Sequence, residues 1–334
     1  MSSVDEEIAR LLREAPAPDE ESRRAVASRA EQVLRPAGAL ARLDEICGWL
    51  AAWQRTGRPV VARPAVVVFV GDHGVTAEGV SAYPAAVTPV MLRALREGVA
   101  TAAAMARAVG AELHAVDVGA GRPTGNIVRE PAMDAERFAG CFEAGRSAVV
   151  GLDCDVLVLG EMGIGNTTPA AAVAATLFGG PAEEWTGRGT GIDDDAWARK
   201  VAVVEAARAR VPSEAGPIEM LREAGGAELA AIAGAALEAR LRSIPIVLDG
   251  FVVTAAVAAL EVAVPGSLDH CIAGHRSPEP GHALLLSKLG KEPLLELGMR
   301  LGEASGAIAA LPLVRLAAAA VLEVATFEEF GLKR

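Results

Sequence analysis

The chain has 334 residues, with 32 Lys and Arg against 43 Asp and Glu, which gives a formal net charge of −11. This charge disfavours non-specific binding to nucleic acid or to an anionic membrane, and 51% hydrophobic residues with 22% charged residues exclude global disorder. The acidic start lacks the basic and apolar regions of a secretory signal, and we find no apolar stretch near the roughly 18–20 residues of a membrane span. We therefore expect a cytoplasmic protein.

The first 55 residues carry a helical periodicity that is interrupted by Pro16, Pro18 and Pro36. Ile8 lies on the apolar face of the first of these segments. We expect residues 1–55 to form the N-terminal part of a small helical domain.

Short, almost wholly apolar runs recur between residues 56 and 290, and each ends in a polar or Gly-rich turn. Runs of this kind are typical of parallel strands buried on both faces, so an α/β core is predicted over this range. Ligands bind at the carboxyl ends of strands in open parallel sheets, so we expect the chemistry in the turns. The predicted strands are residues 66–70, 113–118, 156–159, 244–248 and, more weakly, 271–273.

The turn after the strand 156–159 reads Gly-Glu-Met-Gly-Ile-Gly-Asn-Thr-Thr and precedes an Ala-rich helix. Gly163 and Gly165 allow a close backbone approach, Thr167 or Thr168 can cap the helix, and its first N–H groups can hold a phosphate. Glu161 is an acid in an apolar turn, which suits a contact to a hydroxyl or a proton. A tight turn that simply needs glycine is the alternative interpretation.

A second Gly-rich segment, residues 186–191, precedes a helix that contains Lys200. It offers further backbone N–H groups and a cation to a phosphate. We interpret the acids at 193–195 as helix N-terminal residues.

Two other groups of residues could carry chemistry. Asp72 and His73 follow the first strand, but the remaining histidines lack the spacing of a metal site, and the four cysteines form no CxxC pair, so no metal is predicted. Glu303 lies in a Gly-rich loop, residues 301–306, of the otherwise mostly helical tail 291–334. A partly desolvated carboxylate of this kind can act as a general base near neutral pH. A solvated acid in a turn is the alternative.

Seven stretches occur in the order found in nicotinate-nucleotide:dimethylbenzimidazole phosphoribosyltransferases, which the sequence resembles from about residue 35 to residue 330. The stretches are residues 71–75, 78–84, 160–168, 187–191, 248–251, 274–277 and 299–303. The resemblance implies an open, mostly parallel, Rossmann-like α/β sheet with a small helical domain from both chain ends, in a homodimer. It also implies transfer of phosphoribose from nicotinate mononucleotide to 5,6-dimethylbenzimidazole or a related acceptor. The products are α-ribazole 5′-phosphate, for cobalamin nucleotide-loop assembly, and nicotinate, and no cofactor is needed.

The resemblance also implies roles for individual residues. Glu303 matches the base that takes the acceptor proton, and Glu161 matches a second glutamate at the ribose and leaving base. Ala304 stands where many members have glycine, which predicts a narrower acceptor pocket. Residues expected at the phosphate and ribose are Gly163, Gly165, Asn166, Thr167, Thr168, Gly189, Thr190, Gly191 and Lys200, and those facing the acceptor are Tyr83 and Met91.

Two other functions compete with this enzyme. A non-catalytic nucleotide-binding relative is disfavoured because a silent copy has no physical need for Glu161 and Glu303 in apolar loops. A nicotinamide-dependent oxidoreductase is disfavoured because the dinucleotide-binding fingerprint is missing.

Overall fold

A sheet of parallel strands forms the centre of the computed structural model, which describes residues 3–333. Its strand order is β2-β1-β3-β4-β5-β6, and every neighbouring pair runs parallel. The strands are β1 (Pro64–Gly71), β2 (Glu112–Gly119), β3 (Val156–Met162), β4 (Ile246–Leu248), β5 (Cys271–His275) and β6 (Pro293–Leu295). The five predicted strands are confirmed, and β6 was not predicted.

Helices precede, connect and follow these strands. They are α1 (Ser3–Glu14), α2 (Glu20–Gln32), α3 (Ala41–Gln54), α4 (Val87–Arg96), α5 (Thr101–Ala108), α6 (Ala135–Val150), α7 (Thr167–Phe178), α8 (Ala182–Trp185), α9 (Asp194–Arg210), α10 (Pro217–Ala224), α11 (Ala227–Leu241), α12 (Phe251–Ala263), α13 (Pro280–Lys288) and α14 (Ser305–Leu322). A 3₁₀ helix spans Gly74–Glu78. The acids at 193–195 begin α9 as predicted, with Asp193 accepting a hydrogen bond from the Ala196 N–H at 2.8 Å.

Both faces of the sheet are covered by helices, which explains the continuous apolar character of the strands. Val67 and Phe69 of β1 pack into a core formed with α6, α7, α11 and α12. Val66 and Val68 point to the other face and join a core formed with α3, α5 and α14. All eight residues of β1 are buried.

The two chain ends pack together through α2, α3 and α14. Arg29 of α2 donates hydrogen bonds to the carbonyls of Val321 and Val324, at 3.1 and 3.0 Å. However, α1 lies on the opposite face, where Ile8 and Leu12 are buried in the core that contains α11 and α12. The boundaries at 55 and 291 stay a prediction. Helices α3 and α14 share a core with one face of the sheet.

Helix α14 differs from its sequence-based expectation in two ways. It begins at Ser305, inside the predicted loop 301–306. It is also long and apolar enough to cross a membrane by length and composition alone, although no such stretch was expected, and 56% of it is buried inside the structure. Its residues Ile308, Leu311 and Val314 are buried in the core that contains α3, so the helix packs as a core element.

Candidate active site

A cavity of about 410 Å³ opens at the carboxyl ends of the strands. Its walls come from α4 and the loop before it, from the turns after β3, β4 and β5, from the segment before α9 and from the loop after β6. Parallel strands all end at this edge, so the sheet brings distant segments together there. Ten of the predicted site residues line it: Tyr83, Met91, Glu161, Gly163, Gly165, Asn166, Thr167, Gly189, Thr190 and Glu303.

Glu161 and Glu303 are joined through their backbones. The Glu303 N–H donates to the Glu161 carbonyl at 2.9 Å, which fixes the loop before α14 against the end of β3. The side chains are 8% and 3% exposed. Asn166 donates its amide N–H to Glu161 Oε2, and the Ala102 N–H lies 3.5 Å from Glu303 Oε2.

Burial controls the proton affinity of both glutamates. It raises the pKa of Glu161 to about 8, with contributions from neighbouring acids, while the hydrogen bond from Asn166 opposes the rise. Burial also raises the pKa of Glu303, the Ala102 N–H opposes this, and the charge of Asp249 adds to it. Glu161 therefore holds a proton at neutral pH, and Glu303 is a stronger base than a solvated glutamate.

The N-terminus of α7 provides unpaired backbone donors. The N–H groups of Gly165 and Thr167 make no hydrogen bond within the described part of the chain. Because the positive end of the helix dipole lies at the same place, this turn can bind an anion. The Gly165 φ of +85° is a conformation that favours glycine.

The predicted threonine cap of α7 is wrong. The cap position is Asn166, whose backbone is already helical and whose side chain binds Glu161 instead of the helix N–H groups. Thr168 Oγ1 is buried without a partner. Thr167 Oγ1 accepts a hydrogen bond from Lys200.

The second Gly-rich segment does not offer all the donors that were predicted. The Gly189 N–H is bonded to Glu279 Oε1 at 2.9 Å, and the Gly191 N–H is bonded to the Arg188 carbonyl at 3.0 Å. Thr190 instead connects this segment to the loop before α4, since its Oγ1 accepts the Ala82 N–H at 3.1 Å.

Lys200 does not line the cavity. Its fully buried Nζ donates to Thr167 Oγ1 at 2.8 Å and to the Gly187 carbonyl at 2.9 Å, and burial lowers the pKa of Lys200 to about 8. Thr168 and Gly191 also lie outside the lining. Arg300, which sequence reasoning did not select, is the one Lys or Arg in the lining among the residues described.

Asp249 and His275 lie in the matched stretches 248–251 and 274–277 but were given no role from the sequence, and Glu279 was not selected. Asp249 follows β4 and His275 ends β5, so both lie at the carboxyl edge of the sheet and line the cavity. His275 Nε2 lies 3.6 Å from Asp249 Oδ1. The signal that could have found Asp249 is the Asp-Gly turn after a predicted apolar strand.

Ala304 does not face the cavity. It is fully buried, and a Cβ on Gly160 would lie 2.6 Å from the Ala304 Cβ, so the methyl group packs against β3. The prediction that Ala304 narrows the acceptor pocket is therefore wrong.

The Asp72–His73 pair also lies outside this cavity. His73 Nε2 is 2.6 Å from Glu228 Oε1, and both side chains are buried. Residues 3–333 contain no group of three or more His, Cys, Asp or Glu side chains arranged to hold a metal ion.

Comparison with known proteins identifies relatives of this chain. A phosphoribosyltransferase family model matches residues 15–332. The "Nicotinate-nucleotide--dimethylbenzimidazole phosphoribosyltransferase" of Mesorhizobium japonicum is 49% identical over 99% of this chain and 98% of its own, and that of Methylorubrum extorquens is 48% identical over 96% and 94%. A crystal structure of CobT from Thermus thermophilus superposes with a TM-score of 0.90 at 42% identity, covering 94% of this chain and 99% of that one.

Proposed function

The chain belongs to the nicotinate-nucleotide:dimethylbenzimidazole phosphoribosyltransferase family, and on that premise we infer that it transfers phosphoribose from nicotinate mononucleotide to 5,6-dimethylbenzimidazole. The products are α-ribazole 5′-phosphate, used in cobalamin nucleotide-loop assembly, and nicotinate. The observation that carries this function is the pair of buried glutamates in one cavity with the free N–H groups of α7. A related benzimidazole acceptor fits the same chemistry.

The demands of the reaction match the residues present. The nicotinate ring is a cationic pyridinium in the donor and leaves as a neutral ring, so its departure needs no acid. The acceptor attacks through one ring nitrogen and loses a proton from the other, so a base is needed there. Glu303 is the group we assign to this step, because its burial raises its pKa and it lines the cavity.

Glu161 supports the reacting sugar in this proposal. Its pKa of about 8 keeps it protonated at neutral pH, so it can donate a hydrogen bond to a ribose hydroxyl or to the leaving ring. Asn166 fixes the orientation of its carboxyl group.

The donor phosphate is assigned to the start of α7. The free N–H groups of Gly165 and Thr167 supply neutral donors there, and Arg300 supplies a guanidinium to an anionic group of the donor. Lys200 was predicted to contact phosphate. In this proposal it instead orients the Thr167 side chain, because its Nζ donates a hydrogen bond to Thr167 Oγ1. Tyr83 and Met91 are assigned to the acceptor end, as the resemblance implies.

The assembly and location are further parts of the proposal. We propose a cytoplasmic homodimer with small-molecule substrates and with neither nucleic acid nor membrane as partner. The net charge of −11 supports the exclusion of polyanionic partners.

Nicotinate release tests the function. The purified protein is incubated with nicotinate mononucleotide in the presence and absence of dimethylbenzimidazole, and nicotinate and ribazole phosphate are quantified. We expect nicotinate release that depends on the acceptor and is matched by ribazole phosphate. Binding of the donor without any release would instead identify a non-catalytic nucleotide-binding relative.

A further inference from the structure

The loop that presents Glu303 has an unfavourable backbone conformation. Glu303 and Ala304 are consecutive and have φ values of +62° and +71°. The left-handed region places Cβ too close to the backbone, so side chains other than glycine rarely occupy it. Ala304 is also the N-cap residue of α14 and has no side-chain group to cap it. The surrounding structure must therefore hold this loop in place.

Asp249, in the turn after β4, caps the N-terminus of α14. Its Oδ1 accepts the N–H of Gly306 at 2.8 Å and the N–H of Ala307 at 3.0 Å. These are two of the first N–H groups of α14, which begin directly after the Glu303 loop. Asp249 is 1% exposed and follows β4, so its own position is set by the sheet.

The first turn of α14 also packs closely against the end of β5. A Cβ added to Gly306 would lie 2.0 Å from His275 Cδ2, so the helix approaches this ring as only glycine allows. Together with the bond from the Glu303 N–H to the Glu161 carbonyl, these contacts hold the loop from both sides.

We propose that Asp249 is the positioning residue of the base: its carboxylate clamps the first turn of α14, thereby directs the Glu303 side chain into the cavity, and places a negative charge next to it. This inference rests on the proposed function, in which Glu303 takes the acceptor proton. Asp249 acts through Glu303 and is not assigned a contact with the reacting atoms.

The charges around Glu303 support the electrostatic part of the proposal, in which Asp249 places a negative charge near the base. Asp249 acts on Glu303 through its charge, and Glu228 of α11 acts on Glu161. The titratable and charged side chains that line the cavity together with Glu303 are Tyr83, Glu161, Asp249, His275, Glu279 and Arg300. The two N–H bonds and the dipole of α14 favour the anionic form of Asp249.

Neither Asp249 nor His275 has an ordinary proton affinity. Burial raises the pKa of Asp249, while His275 and the backbone N–H bonds oppose the rise. Burial lowers the pKa of His275, while the charge of Asp249 opposes the fall. A neighbouring anion favours the protonated form of Glu303, which makes the carboxylate a stronger base.

Two substitutions separate the effect of the hydrogen bonds that Asp249 accepts from the effect of its charge. Asp249→Ala removes both, and we expect kcat to fall on the order of 100-fold with little change in the KM for nicotinate mononucleotide, because a misplaced base affects the chemical step. Asp249→Asn keeps an amide oxygen that accepts both N–H bonds but removes the charge. We expect it to retain most of kcat, while the ascending limb of its kcat–pH profile moves to lower pH by about one unit.

Asp155 provides a matched control. Its Oδ2 also accepts two backbone N–H groups, from Ala62 at 2.7 Å and Arg63 at 2.8 Å, but it precedes β3 at the opposite edge of the sheet. Asp155→Ala should lower the melting temperature while leaving kcat and the pH profile unchanged.

The outcomes are distinct. Wild-type kcat in a folded Asp249→Ala protein, or an unshifted limb in Asp249→Asn, overturns the inference. If Asp249→Ala does not fold, Asp249→Asn decides alone. If the wild-type chain releases no nicotinate, or if Glu303→Gln keeps full turnover, the proposed function or its base assignment fails, and this result is separate from any Asp249 measurement.

Discussion

Two clusters of buried titratable side chains lie at the carboxyl edge of the same sheet, and only one of them opens into the cavity. Glu161, Glu303 and Asp249 line the cavity. These three acids are the open cluster. The closed cluster is Glu228 with His73, whose Nε2 lies 2.6 Å from Glu228 Oε1; both side chains are buried, and neither residue lines the cavity. The backbone of Gly163 separates the two clusters, since a Cβ on Gly163 would lie 3.0 Å from His73 Nε2 and 3.1 Å from Glu228 Oε1.

The difference between the clusters is access. Buried carboxylates in both require compensation for desolvation, and the closed cluster obtains it from a histidine. In the open cluster Asn166 donates to Glu161 and the Ala102 N–H lies near Glu303, and burial nevertheless raises the pKa of both glutamates. Residue type at a sheet edge therefore does not distinguish a chemical group from a structural one, whereas contact with the cavity does.

The largest expected effect lies in the open cluster. Glu303→Gln keeps the shape of the side chain but removes its basicity, so we expect turnover to fall by roughly 10²–10⁴-fold with donor binding little changed. Steady-state kinetics with nicotinate mononucleotide, together with a donor-binding titration, measure both effects. Turnover near that of the wild type would remove Glu303 from the base role.

The closed cluster should respond in stability instead. His73→Leu leaves the buried Glu228 carboxylate without its hydrogen bond, and we expect the free energy of unfolding to fall by about 3 kcal/mol. The kcat of the folded variant should change far less than that of Glu303→Gln. Urea unfolding and kcat measured on the same preparation check this. A folded variant that loses turnover as strongly as Glu303→Gln would place the closed cluster in the chemistry.

Arg300 tests the charge balance of the open cluster. Arg300→Gln removes the guanidinium from a cavity lined by several carboxylates, and we expect the KM for nicotinate mononucleotide to rise about tenfold, because a hydrogen bond to a charged group is lost. Arg188→Gln is the control, since Arg188 is paired with Asp194 and does not line the cavity. An equal KM for Arg300→Gln and the wild type would show that the backbone donors alone hold the donor.

The smallest effect is expected at Ala304. Because its methyl group packs against Gly160, Ala304→Gly should leave the ratio of kcat/KM values for benzimidazole and dimethylbenzimidazole unchanged. The ratio is measured by competition between the two acceptors. A shift towards the dimethylated acceptor would show that Ala304 limits the pocket after all.

The fold was largely readable from the sequence, because strands buried on both faces leave long apolar runs. Strand β6 escaped detection because it has three residues and begins with Pro293, so no apolar run marks it. The sequence was expected to contain no apolar stretch as long as a membrane span, because Arg315 and Pro312 interrupt the segment that forms α14. That segment is nevertheless apolar over its whole length.

The site was only partly predictable from the sequence. The predictions that failed concern contacts between segments that are distant in the chain. Asp249 caps a helix that begins at residue 305, and no local pattern indicates such a partner. Lys200 points away from the cavity because Thr167 and the Gly187 carbonyl bind its ammonium group. The N–H of Gly189 is taken by Glu279, which lies 90 residues away in the chain.

The pH dependence of kcat, measured for the wild type and for Glu303→Gln, tests most directly that the open cluster performs the chemistry. Because burial raises the pKa of Glu303, the wild-type kcat should rise with pH along a limb above the range of an ordinary glutamate, as the carboxylate becomes free to accept the proton. In Glu303→Gln the limb should disappear from the residual turnover. The same limb in both proteins would contradict the account, since the titrating base would then be another group.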